Sequence, residues 1–158
     1  MSPGALKIYL NDHLAGATAG QRLSRHLAEH HRASPHGGEL RKVADEIAED
    51  RRALLEVMDS LGIPAHRYKV AAGLLAEKAR LLKFNGHLNR RSGLSEVLEL
   101  EALRLGIEGK SLLWQTLLSL APDSGLDEER LRDLRDRARR QIGTVDAVRR
   151  QEAVGVLG

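Results

Sequence analysis

The stretch from Leu94 to Leu120, LSEVLELEALRLGIEGKSLLWQTLLSL, has no proline and repeats Leu94, Leu98, Glu101, Leu105, Glu108 and Leu112 at alternating steps of four and three. That spacing is one stripe of an α-helix, about 40 Å long at 1.5 Å per residue. Two stripe positions are carboxylates, so the helix is expected to carry Glu101 and Glu108 on its inward seam, two turns apart on one face. A buried carboxylate requires a cation or several donors. The two glutamates are therefore read either as partners of arginine in buried pairs, the favoured reading, or as metal ligands or proton carriers.

Three more segments carry the same period. From Ala5 to Arg32 no proline occurs, and Leu6, Leu10, His13, Ala17, Gly20, Ser24, Leu27 and His31 form a seam. Within it HLAGATAG, His13 to Gly20, reads as a packing notch, because each glycine costs about 1 kcal/mol against alanine unless a neighbouring helix approaches closely. Ser34 and Pro35 supply a cap and a first-turn proline for the next helix, with Leu40, Val43, Ile47, Leu54, Met58 and Leu61 as its core, ended by Gly62 and Pro64. After the turn Pro122 to Gly125, the residues Leu131, Leu134, Ala138, Ile142, Val145 and Val148 define the last helix. The long helices are expected over about 5–32, 35–61, 94–120 and 127–154.

Between the second and third lies a shorter apolar pattern, about 64–84, with Val70, Leu74, Leu75, Leu81 and Leu82. A helix there spans about 30 Å, enough to travel the bundle and set its flanking helices parallel. The expected fold is all-α: one domain, an antiparallel four-helix bundle with a helical crossover connector. A five-helix array, with the connector in the core, is the alternative.

Composition excludes several classes. With no cysteine, disulfides, zinc ribbons and thiolate nucleophiles are ruled out, and a cytoplasmic location is the default. The start, MSPGALKIYLNDH, lacks a signal-peptide core, and no run approaches the ~18 apolar residues of a membrane span. The 25 basic and 22 acidic residues leave a net charge of +3, which by itself demands no nucleic acid. No phosphate-cradling, nucleophile-elbow or HExxH motif occurs.

The segments YLNDHLAGATAG (Tyr9 to Gly20) and LELEALRLGIEGKSLLW (Leu98 to Trp114) resemble uncharacterised bacterial proteins of the ferritin-like helical superfamily. The resemblance implies the bundle over nearly the whole chain and leaves function open, since that superfamily includes oxidases, iron stores and metal-free proteins. Its di-iron centre uses Glu-x-x-His pairs on two helices. None occurs here, and all seven histidines precede the third long helix. What remains is a carboxylate-rich set: Asp12 and His13 on the first helix, Glu46 and Asp50 on the second, Glu101 and Glu108 on the third, with Gln141 or Asp146 from the fourth. Oxygen-rich ligation suits iron or manganese if any metal binds; the expectation is a degenerate or absent site.

His30 and His31 adjoin the end of the first helix, where its dipole favours a cationic imidazole, and are read as surface residues. The connector is locally basic, with Arg67, Lys69, Lys78, Arg80, Lys83, Arg90 and Arg91 against Glu77, so it is a candidate surface for nucleic acid or another anion, with a solvated connector as the simpler reading. Function is accordingly expected to be non-catalytic binding or self-association, the homo-oligomer following from the glycine notch. The alternatives are a carboxylate-bound iron or manganese oxidase and an anion-binding connector.

Overall fold

The computed structural model describes residues 2–66 and 93–158. Among them are four helices and no strand: α1 (Pro3–His30), α2 (Gly37–Ser60), α3 (Leu94–Ser124) and α4 (Glu128–Leu157). Residues 67–84 of the connector, and all seven basic residues named for it and its flank, lie outside the described residues.

A six-residue link folds α2 back on α1, and the turn around Gly125 folds α4 back on α3. The two hairpins face each other. Tyr9 of α1 donates to Thr116 Oγ1 near the end of α3, and His30 meets Glu96 near its start, so α1 and α3 run antiparallel. On the other side, Glu56 pairs with Arg130 and Glu46 with Gln141, making α2 and α4 antiparallel as well. It follows that α2 and α3 run parallel. The most extensive packing is between α3 and α4 and the least between α2 and α4, where an open groove of about 630 Å³ remains.

Local sequence explains the helix ends. Asp127 caps α4, its Oδ1 accepting from the Arg130 N–H at 3.1 Å. Gly125 closes α3 at φ +70°, a left-handed turn that glycine adopts without Cβ strain. Pro122, expected in the turn, instead lies inside the last turn of α3. At the start of α2, Ser34 Oγ accepts from His36 N–H, and the helix begins at Gly37 rather than Pro35. Glycine is required there, since a Cβ would stand 2.6 Å from the His31 carbonyl oxygen.

The core is aliphatic around one aromatic residue, Trp114, which is fully buried with Leu10, Leu14, Leu54, Met58, Leu103 and Leu117 among its companions in the same cluster. The buried stripe of α3 is Val97, Leu100, Leu103, Ile107, Ser111, Trp114, Leu117 and Ala121. This corrects the expected seam: Glu101 is 45% exposed, Glu108 is exposed, and Leu105 and Leu112 stand 67% and 54% exposed. Both stripes have helical spacing, but the observed one contains the large Trp114 side chain and no carboxylate. Burying it gains more apolar contact and avoids desolvating two charges.

The glycine notch is also corrected. Among the described residues a Cβ at Gly16 or Gly20 would meet nothing within 4 Å, and the same holds at Gly109 and Gly143. These glycines weaken their helices without admitting a neighbour from among the described residues. Gly16→Ala, Gly109→Ala and Gly143→Ala are each expected to raise stability by about 0.5–1 kcal/mol in urea melts; a loss at Gly16 would restore a packing role.

Candidate functional site

The centre of the bundle is polar. Asp50, near the middle of α2, has a side chain only 1% exposed and sits beside Lys110 at the middle of α3, whose Nζ donates to Asp50 Oδ2 at 2.5 Å. The same ammonium donates to Gln141 Oε1 of α4, also at 2.5 Å. Gln141 is itself buried, and its Nε2 donates to Glu46 Oε2 at 2.9 Å and to Asp50 Oδ2 at 3.3 Å. Arg137 completes the network: its Nε donates to Asp50 Oδ1 at 2.9 Å, its Nη2 donates to the same oxygen, and its Nη1 donates to Glu49 Oε2 at 2.9 Å.

Helical spacing builds this arrangement. Glu46 and Asp50 are one turn apart on α2, as Arg137 and Gln141 are on α4, so each helix presents two polar groups at one level. Every buried atom of the set named here is hydrogen-bonded, which is what makes a polar centre tolerable in a low-dielectric interior. Burial nevertheless pushes the Lys110 amine below its ordinary value, with the Asp50 carboxylate opposing that shift through its charge and its hydrogen bond. Chemically, the site is a caged ammonium. Its donors occupy the oxygens that would otherwise ligate an ion.

The sequence-derived candidates are only partly brought together. Glu46 and Asp50 join the central network. Glu101 lies on the α3–α4 groove, 3.8 Å from Arg149, beside Arg104 and Asp146, and Glu108 faces outward. The arginines Arg150 and Arg149 hold the Asp146 carboxyl below its usual range. Asp12 is exposed; His13 is half-buried, packed edge-on against Tyr9 with ring centroids 4.6 Å apart. Burial lowers the His13 pKa, and Asp12 partly offsets this. Among the described residues, no group of three or more histidine, aspartate or glutamate side chains is arranged to hold a metal ion, and no helix is long and apolar enough to cross a membrane.

Lys110 is the residue that sequence reasoning passed over. It closes GIEGK, directly after Gly109 and two residues past the exposed Glu108, a context that does not mark a core position. The available signal was its place on the stripe of Ile107 and Trp114. No family model matches the chain, and no curated protein or solved structure is significantly similar to it.

Proposed function

We propose that the chain is a ferritin-like bundle of the non-catalytic kind, in which the Lys110 ammonium takes the central position of a metal ion, and that it acts by binding, first to a second copy of itself. The observation that carries this reading is the pair of 2.5 Å contacts from Lys110 Nζ to Asp50 and Gln141 at mid-bundle. Lys110 and Arg137 occupy both oxygens of Asp50, and Arg137 also holds Glu49. Glu46 alone of the three carboxylates therefore lacks a cationic partner among the described residues, too little charge to hold iron or manganese. The parallel course of α2 and α3, which a crossover between them requires, supports the ferritin-like assignment.

Self-association is supported by the outer face of α3. Leu98, Glu101, Leu105, Glu108 and Leu112 retain a seam's three-and-four spacing while Leu105 and Leu112 are exposed. A stripe of this kind suits a second helix, with the glutamates fixing register. Molar mass measured by sedimentation across a wide concentration series is expected to rise above that of the single chain. Leu105→Lys should return it to the single-chain value with the melting temperature unchanged. Single-chain mass at every concentration would sink the self-association reading. Stoichiometric iron or manganese that Glu46→Gln releases would instead favour the carboxylate-bound oxidase.

A further inference from the structure

At the end of the bundle opposite the start of α1, away from the Lys110 network, three histidines and three glutamates converge where the end of α1 meets the start of α3 and the end of α4. His30 Nε2 lies 2.7 Å from Glu96 Oε1. His31, the residue that ends α1, is not at the surface as expected: its side chain is 5% exposed, with Nε2 3.9 Å from Glu96 Oε2 and Nδ1 3.9 Å from Glu152 Oε1. One turn before His30, His26 Nε2 lies 3.1 Å from Glu99 Oε2.

Two buried atoms in this cluster lack a hydrogen-bond partner among the described residues, His31 Nε2 and Glu99 Oε2. Buried polar atoms are nearly always satisfied, so each orphan calls for an explanation. The charges point the same way. Among the described residues the only ion-pair partners of Glu96, Glu99 and Glu152 are imidazoles, and no lysine or arginine of those residues is paired with them. Three carboxylates therefore face three imidazoles, and among the described residues two buried atoms of the cluster are left without a hydrogen bond.

We propose that this end of the bundle binds a divalent transition metal of the zinc class, through His30, His31 and Glu96, with His26 and Glu99 beside them. Mixed nitrogen and carboxylate ligands suit zinc, cobalt or nickel, in contrast to the all-oxygen sites of magnesium and calcium. His26 and His30 are four apart on one helical face, the spacing with which a helix offers two imidazoles to one ion. The buried His31 ring lies between two carboxylates, with Nε2 3.9 Å from Glu96 and Nδ1 3.9 Å from Glu152, so either nitrogen has an oxygen ligand within reach of one ion.

Two ligands on a tetrahedral ion stand about 3.3 Å apart for bonds of about 2.0 Å. The His26–Glu99 spacing of 3.1 Å is close to this, and the His31–Glu96 spacing of 3.9 Å is longer. No three donors already meet at one point, so the ion assembles the site by replacing the His30–Glu96 hydrogen bond. The exposed rings of His26 and His30 stand against Glu99 and Glu96, so the ion takes them over together with the carboxylates they already contact. The ion would tie α1 to α3 at the end of the bundle where the described part of α3 begins.

The test uses the full chain stripped with a chelator and titrated with Co²⁺. The expected result is one saturable equivalent with visible d–d absorption, displaced by Zn²⁺, and a higher melting temperature with Zn²⁺ bound. His31→Asn and His30→Ala should each weaken binding at least about ten-fold; the His30 ring is exposed, so the second variant keeps its fold, as a metal-free melt would verify. Absence of a saturable cobalt spectrum, or affinity unchanged in both variants, would overturn the proposal. So would a signal kept in His30→Ala and lost in Glu46→Gln, which would put the ion at mid-bundle.

Discussion

Replacing Lys110 by methionine is expected to destabilise the chain by about 3 kcal/mol, the lower end of the range for breaking a buried ion pair. The side chain keeps its length, so little packing is lost; the cost comes from Asp50, which loses the donor on Oδ2. Arg137 still donates to Oδ1, and that keeps the loss at the low end. Asp50→Asn leaves Lys110 without its carboxylate and should cost more, about 5 kcal/mol. Because the two side chains share one interaction, the double variant should fall short of the sum of the singles by about 1–3 kcal/mol in a denaturation cycle.

The same lysine sets an alkaline response. Its pKa is lowered from 10.5 in the folded chain, so between the folded value and 10.5 the unfolded chain binds the extra proton. The stability linked to this group is fully present above 10.5 and is lost as pH falls through the folded value. Lys110→Met should remove that component of the pH dependence. A Lys110→Met variant within about 0.5 kcal/mol of the parent, a typical surface effect, would show that the ammonium is not an integral part of the core.

The second large effect is expected at Trp114. Trp114→Ala should cost about 3–5 kcal/mol, since it removes the largest fully buried side chain and leaves a cavity that α3 cannot close. Trp114→Phe separates packing from polarity. The indole Nε1 is buried without a hydrogen-bond partner among the described residues, a penalty of about 1–3 kcal/mol that phenylalanine does not incur. The phenylalanine variant is therefore expected to lose much less than the alanine variant in calorimetric unfolding. Equal losses would mean that the indole nitrogen is satisfied in solution.

Much of the architecture could be read locally. Three-and-four spacing marks α2 and α4, where Leu40, Val43, Ile47, Leu131, Leu134, Ala138, Val145 and Val148 are buried as their stripes require, because polar residues on the opposite faces leave only one way to turn the helix. In α3 apolar residues surround most of the axis, so periodicity names a helix without naming its inner face. The choice between the Glu101 stripe and the Trp114 stripe was made by packing against α1 and α4 and by the Lys110 contact across to Asp50 of α2.

The sequence by itself determined that this chain is helical, that its helices end near Gly62 and Gly125, and that Glu46 and Asp50 share one face. These follow from backbone preference and from spacing within a single element. Only the tertiary structure decided that Asp50 meets Lys110 and Gln141 in the core, that Glu101 and Glu108 turn outward, and that His31 is buried among glutamates of two other helices. Those outcomes depend on the cost of desolvating each charge against the partners that distant helices supply, and no single helix encodes that balance.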